Sequence, residues 1–588
     1  MKGFDVLKVK SAVKTRNKFD LSCSHLTTMD FGEIVPLYSN ELVPGDKFDI
    51  DANYFARMAP LVKPTYGKFS FKTVAAFVPY HELAYDAEAW LAGKTVFEGM
   101  TPKQRNITLA SLYSFLADSS ISITAVNNSA ATIDNCDWHV IDSSGNDVFR
   151  VWTPFGKYVV KILNALGYAI PQGIDLQTNS DWSKNQKTKT VSAYPLLAFF
   201  KLYNDYMTQS TKYNTSDLSE ALRCIKYGLT HNAISGGQNI TIAGLQTLFN
   251  SIRLNYENDY FTSAWQYPNC PVASIESVNA GLTPGASYTG ETVSAGNFEN
   301  TVNEKVTSSV VSISQKALDF LKDFDDWVRR NNYAGARAVQ QIYSRFGIKS
   351  GDYKSHYAQV ISTDSMPIQV GDVTATADAE SVPLGDYAGK GIMSGSKTIS
   401  YSASDFGILL ILGYFTVTPM NAYGFDRSVL RSSPLDYYNP EFDGMGADAI
   451  SASEYFENPI WSGDSTNFGT IFGYTERYNA YRFGRDKITG EFRNYRNDGD
   501  MNVWHTGRLL NDARRLGNLV AQSVTVNTMS PYNSEYNRIF SVTDGSVNHF
   551  YVTARFNVSA VRPMLSLNQV PRLGEGDTVV PRNGNIIS

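Results

Sequence analysis

Between residues 47 and 53 apolar and polar side chains alternate, with Phe48, Ile50 and Ala52 on one face and Asp49, Asp51 and Asn53 on the other. A period of two is that of a half-buried β-strand, and Pro44-Gly45-Asp46 supplies the turn before it. Residues 68–78 repeat the pattern, with Phe69, Phe71, Thr73, Ala75 and Phe77 sharing a face and Pro79 ending the strand. The clearest alternation spans 550–560, where Phe550, Val552, Ala554, Phe556, Val558 and Ala560 are apolar and Thr553, Arg555, Asn557 and Ser559 between them are polar. The apolar run Phe406–Phe415 is about half the length needed to cross a bilayer and predicts a buried strand.

In the middle of the chain the period changes. Pro195 suits the first turn of a helix along which Leu196, Phe199, Phe200, Tyr203 and Met207 recur at helical spacing. A second helix is predicted over 316–330, with Leu318, Leu321, Phe324 and Val328 on one stripe, and Asn331-Asn332 interrupts it. A third carries Ala336, Val339, Ile342, Tyr343 and Phe346, with Gly347 as its stop. Residues 118–150 and 271–312, rich in small polar residues, show neither period. Uninterrupted loops of more than about 15 residues are usually functional or disordered. The order predicts a mainly β protein: a basic arm over 1–20, then one domain over 21–588 with insertions at 101–190 and 271–315 and a helical segment at 316–347.

Composition narrows the class. Of the 588 residues, 43% are apolar, 13% aromatic and 19% charged, which excludes a disordered, collagen-like or coiled-coil chain. Length alone allows about four domains, and a chain of this size needs no disulfide or metal staples. Aromatic wealth with low charge suits packed or interfacial surfaces. The net charge of −5 hides an asymmetry: residues 1–20 carry six basic side chains against Asp5 and Asp20, and the remainder carries 46 basic against 55 acidic. Cys23, Cys136, Cys224 and Cys270 are far apart and read as free or buried thiols. No apolar stretch follows the basic start, so no secretory signal is expected.

Catalytic and metal motifs fail on inspection. Gly385–Gly391 places its glycine too close to Gly389-Lys390 for a P-loop and lacks the Ser/Thr for magnesium, so a glycine-rich turn is the expectation. Asp49-x-Asp51-x-Asn53 opens like a calcium loop, yet Tyr54 stands where glycine must turn the chain and Pro60 where a bidentate Glu belongs. The histidines at 25, 81, 139, 231, 356, 505 and 549 form no close pair and are read as structural or surface residues, and no Gly-x-Ser-x-Gly elbow occurs. Asp319, Asp323, Asp325 and Asp326 ahead of Arg329 and Arg330 suit a solvated helix complementing its dipole. A carboxylate pair for glycoside hydrolysis depends on a spatial separation that sequence does not show. Two features fit nucleic acid. Lys2, Lys8, Lys10, Lys14, Arg16 and Lys18 could neutralise phosphates. Tyr474, Tyr478 and Tyr481 with Arg477 and Arg482 form a stripe at helical spacing suited to base stacking or to subunit packing.

Several blocks in order resemble one family. They are Leu42-Val43-Pro44-Gly45-Asp46 with Arg57-Met58-Ala59-Pro60, then Phe77-Val78-Pro79 and Leu196–Tyr206. Asn258-Asp259-Tyr260-Phe261-Thr262-Ser263 comes next, then Gly335-Ala336-Arg337 with Phe346-Gly347-Ile348, and Pro383-Leu384-Gly385 with Ala388-Gly389. Asp436–Phe442, Gly473–Tyr478, Gly490-Glu491-Phe492-Arg493 and Trp504-His505 complete the set. Across about residues 26–565 they resemble the major capsid protein of the Microviridae, small tailless single-stranded DNA phages, nearest the gokushovirus-like branch. Ala264-Trp265-Gln266-Tyr267-Pro268, and Ala338 with Gln340 and Gln341, depart from the family's pattern. The resemblance implies an eight-stranded viral jelly roll with long, partly helical insertions. It also implies pentamers building a T=1 icosahedral shell around circular single-stranded DNA, in a virion assembled in the bacterial cytoplasm. No enzymatic activity or cofactor is implied; the partners are further copies of the chain, the genome, other virion proteins and a host receptor. The basic arm is then expected to face inward, and 271–312 to form a surface projection. The residues alone also suit a secreted glycan-binding or glycan-cleaving protein.

Overall fold

The structure is a computed structural model. It describes residues 16–118, 139–141, 147–151, 154–170, 173–175, 189–207, 217–250, 357–374, 387–418, 424–443, 447–455, 471–492, 500–507, 536–542 and 547–564, with a few single positions between 252 and 264 and at 420. The fold is mainly β, and its sheets are antiparallel throughout the centre. The strands there are β1 (Asn17–Asp20), β2 (Cys23–Met29), β3 (Ile34–Leu42), β4 (Lys47–Met58), β5 (Phe69–Pro79), β6 (Gln359–Pro367), β7 (Gln369–Thr374), β8 (Tyr387–Ser402), β9 (Gly407–Val417) and β10 (Phe550–Arg562). The first sheet runs β1-β10-β4-β8-β7, with β2 also paired to β10, and the second runs β6-β5-β9-β3.

The alternation read from the sequence sets both faces of these strands. β4 buries Phe48, Ile50, Ala52, Tyr54, Ala56 and Met58 and exposes every residue between them, so the strand continues past residue 53 as far as its pattern does. β10 buries Phe550, Val552, Ala554, Phe556, Val558 and Ala560 in the same alternation, and its Val558 lies opposite Ile50 of β4. The two sheets enclose a core of Phe48, Ile50, Tyr54, Phe71, Phe77, Leu409, Ile411, Phe415, Val552 and Phe556. Phe415 stacks on Phe550 with ring centroids 3.9 Å apart, joining the sheets face to face.

β9 explains its unbroken apolar run by being buried on both sides. Leu409 and Ile411 face the sandwich core, while Ile408, Leu410 and Leu412 face a second core shared with helices. That layer contains α1 (Leu109–Asp118), α2 (Pro154–Ala165), α3 (Tyr194–Tyr206), α4 (Asp217–Tyr227) and α5 (Ile242–Asn250). Pro195 sits in the first turn of α3, and Leu196, Phe199, Phe200 and Tyr203 are buried as the helical period requires. Buried Arg105 donates to the carbonyls of Ile225 (2.7 Å) and Lys226 (3.0 Å) and pairs with Asp86 at 2.9 Å. It thereby adds a donor to carbonyls at the end of α4, which also accept from the Gly228 and Tyr85 N–H groups. No helix among the described residues is long and apolar enough to cross a membrane.

Two expectations change. The glycine-rich segment at 385–391 is no turn from residue 387 onward: Gly389 and Gly391 lie within β8, where a Cβ would meet Leu61 Cδ1 at 2.9 Å and Met58 Cβ at 2.8 Å respectively. Glycine is there for close packing. The stretch 118–150 contains an antiparallel pair, His139–Ile141 with Asp147–Val151. Among the described residues many aromatic side chains fill the two cores, the packed half of what composition allowed. The loop at 271–312 and the helices predicted over 316–330 and 336–346, with their acidic residues, lie outside the described residues.

Candidate assembly surface

A small lobe follows β9. Its hairpin pairs Ala447–Ser451 with Ile471–Glu476 over an apolar cluster of Phe261, Ile450, Tyr455 and Phe472. Arg427 locks the lobe: its guanidinium contacts Glu454 at 2.6 Å, Asp448 at 3.1 Å and the Ala449 carbonyl at 2.9 Å. Burial works against that charge, yet Glu454 and Asp448 together hold the Arg427 pKa above its ordinary value. Tyr260 donates to Glu454 at 2.9 Å, and burial with the Glu454 charge pushes the phenol's pKa up.

On this base lies the aromatic cluster. The predicted helical stripe does not exist: Tyr474 is in the strand Ile471–Glu476, Tyr478 has a left-handed φ of 62°, and Tyr481 ends the 3₁₀ turn Asn479–Tyr481. The side chain of Asn479 donates to Thr475 Oγ1 at 2.6 Å and folds the chain back at this point. Tyr478 and Tyr481 still come together, 6.3 Å apart, and Tyr438 joins them at 5.2 and 6.1 Å. The Arg431 guanidinium lies 4.2 Å over Tyr481 and 5.4 Å over Tyr437, and Arg477 lies 5.2 Å from both the Phe442 and Tyr478 rings. Arg482 bridges Asp443 (3.0 Å) and Glu476 (2.9 Å). The Asp443 charge beside the Tyr438 hydroxyl raises that phenol's pKa.

Tyr437, Tyr438 and Tyr481 remain about half exposed, with Val429, Leu435 and Phe483 exposed nearby. Rigid Tyr rings braced by Arg, with charges balanced locally, have the composition of a protein–protein contact centre. Arg431 and the segment Asp436–Phe442 escaped the reading of single residues. The only signal was that Asp436–Phe442 and Gly473–Tyr478 both belong to the ordered blocks.

The other predicted site residues lie elsewhere. Lys2, Lys8, Lys10 and Lys14 fall outside the described residues. Lys18 is in β1 opposite Val561 of β10. The Arg16 guanidinium reaches the Gly45 turn, where a Cβ would stand 3.1 Å from it. Asp49 and Asp51 sit on an exposed strand face and accept hydrogen bonds from Ser400 (2.7 Å) and Thr398 (2.8 Å), not in a calcium loop. Cys23 and Cys224 are free thiols.

Among the described residues, one set could hold a cation: His81, Glu88 and Asp405, with ligand atoms within 4.8 Å of one another. His81 Nδ1 lies 3.0 Å from Asp405 and 3.7 Å from Glu88, spacings that an ordinary hydrogen bond to Asp405 beside a second carboxylate also satisfies. His549 is fully buried, stacked on Phe540 at 4.0 Å, with its ring nitrogens 3.1 Å from Asp30 Oδ2 and 2.8 Å from the Val542 carbonyl.

Comparison with known proteins supplies the remaining observation. The family described as "Capsid protein (F protein)" matches residues 7–95 and 185–572. The chain is 23% identical to "Capsid protein VP1" of Chlamydia phage 1, over 95% of this chain and 96% of that protein. It is 22% identical to "Capsid protein VP1" of Bdellovibrio phage phiMH2K, over 85% and 86% of the two chains.

Proposed function

The chain belongs to the phage capsid protein (F protein) family, and on that premise we propose that it is the major shell subunit of a small tailless single-stranded DNA phage, closing through pentamers into a T=1 icosahedron. The role is structural and not enzymatic. The observation that carries the proposal is the family match along both flanks of the chain, residues 7–95 and 185–572.

The fold within that reading is a viral jelly roll. Its support is the nesting of strand pairs: β2 bonds to β10, β3 to β9, β4 to β8 and β5 to β6. The earliest strand pairs with the latest, and each pair inward follows suit, as when one long antiparallel hairpin is rolled into two facing sheets. The gap in the family match between residues 95 and 185 supports 101–190 as an insertion, one grown into the protein because α1 and α2 line the helical core. The segment 271–312, within the insertion at 271–315, is the proposed surface projection, and the arm, with Lys2, Lys8, Lys10, Lys14, Arg16 and Lys18, the proposed contact to the genome.

Negative-stain electron microscopy of the purified protein tests the reading. Closed particles of uniform size are expected; monomers that bind or cleave glycans would sink it. Removing residues 1–15, which leaves β1 intact, should yield shells holding less DNA. Normal packaging by that variant would remove the role of Lys2, Lys8, Lys10 and Lys14.

A further inference from the structure

The two sheets differ in what covers them. The second has its outer face buried by the helical layer. No element among the described residues covers the outer face of the first. One end of that open face is polar and acidic, with Asp49 and Asp51 on β4 beside Ser400 and Thr398 on β8. The other end carries Phe55 (39% exposed) and Tyr551 (48%), with Leu26 and Ile392 also exposed.

Register fixes how these groups meet. Tyr551 of β10 lies directly opposite Arg57 of β4, and Phe55 of β4 opposite Thr553 of β10. Phe55 and Tyr551 are therefore diagonal neighbours on adjacent strands, positions about 7–8 Å apart along the sheet. Arg57 sits 5.5 Å from the Phe55 ring centroid. Arg555, opposite Asn53, is exposed one step along β10, and Lys390 is exposed on β8. Hydroxyls fill the gaps: Thr28 faces Tyr551 and Ser394 faces Phe55. No strand residue on this end of the face is acidic.

This differs in kind from the Tyr437–Tyr481 cluster. There the rings pack on one another, and Arg482 is matched by Asp443 and Glu476. Here two rings stand on a flat sheet, flanked by cations for which the described residues provide no ion pair. Rings on neighbouring strands suit successive unpaired bases, which stack without regard to sequence, while nearby arginines meet the backbone phosphates. Duplex DNA keeps its bases stacked inside and could use only the cations.

We propose that the open face of the first sheet, centred on Phe55, Arg57, Tyr551 and Arg555, binds single-stranded nucleic acid by base stacking and is turned toward the enclosed genome. The inference rests on the capsid reading above and adds a site to it.

Fluorescence anisotropy with a labelled oligothymidine of about 20 nucleotides, added to unassembled full-length subunits, tests the site. Phe55→Ser and Tyr551→Ser should each weaken binding about tenfold with little change in its salt dependence, as loss of a stacking ring does. Arg57→Gln and Arg555→Gln should weaken binding and flatten its dependence on salt. Tyr437→Ala should leave it unchanged, and a duplex of equal length should bind more weakly than the single strand. Equal affinity for the wild type and the Phe55→Ser, Tyr551→Ser double variant overturns the proposal. Should that variant fail to fold, photocross-linking of the wild type to an iodouracil oligonucleotide decides: adducts on β4 or β10 uphold the site, and adducts only elsewhere overturn it. Failure of the capsid reading registers separately, as an absence of closed particles whatever the oligonucleotide does.

Discussion

At the scale of single residues, His505 shows how a buried histidine is fixed in one tautomer. Its Nε2 faces the Phe492 carbonyl at 3.0 Å and must donate, while its Nδ1 accepts from the Gly507 N–H at 3.0 Å. Arg538 donates to the carbonyls of both His505 and Gly507. Burial, then the Arg538 charge, lowers the imidazole's pKa, against the opposing pull of the Phe492 carbonyl. The unfolded chain therefore takes up this proton more readily than the folded one. The stabilisation is fully present above the ordinary value of about 6.5 and is lost as pH falls below it. Urea denaturation of the subunit at pH 7 and pH 5 should show the loss. His505→Gln should flatten that difference while costing about 1–3 kcal/mol at pH 7, the penalty for leaving buried groups unbonded; an unchanged pH dependence would count against it. The sequence suggested only that the histidines were structural or surface residues. It could not name partners: His549 pairs with Asp30, more than 500 residues away.

At the scale of elements, β9 is confined on both faces, and Gly413 is one point where that confinement is close. A Cβ at Gly413 would lie 2.6 Å from Leu37 Cδ1 and 2.9 Å from the Phe71 ring. Overpacking of this kind costs about 1–3 kcal/mol. Gly413→Ala should accordingly lower the urea midpoint with no change in m-value, since the surface exposed on unfolding stays the same; a neutral result would show that Leu37 can yield. The strands were the most legible part of the chain because period-two alternation and burial on one face are the same fact seen twice. Legibility failed where no period operates. Tyr474, Tyr478 and Tyr481 share a helix-like spacing by coincidence of a strand end and a tight turn. The glycines of β8 look like a turn because their packing partners, Leu61 and Met58, belong to a distant segment.

At the scale of the whole molecule, three layers divide the labour. The central sheet is buried on both sides, the helical layer covers one of its faces, and the first sheet closes the other. The aromatic residues, whose abundance suits packed or interfacial surfaces, serve the cores as well as the lobe where Tyr437, Tyr438 and Tyr481 stand half exposed. Truncating an anchor at the centre of an interface typically costs about 2 kcal/mol or more of association. Tyr437→Ala with Tyr481→Ala should therefore leave the subunit's thermal unfolding close to that of the wild type while shifting sedimentation from particles toward free subunits. Unaltered assembly would assign the cluster to the lobe's internal packing. Family membership was legible through ordered blocks, whereas the layering was not, because it depends on contacts between β9 and helices far away in the chain.

The position of β10 has a temporal consequence. It lies between β2 and β4 in the first sheet, although it follows every other strand of the sandwich in chain order. While the chain is being made, β2 and β4 must wait with unpaired edges and with the Phe415 ring lacking its cover from Phe550. Pairing across such separations is slow, and an open edge invites strands from other chains. The slot closes only once translation has delivered β10, so a nascent subunit cannot present a finished sandwich to its neighbours. Synthesis itself thus times when shell building can begin.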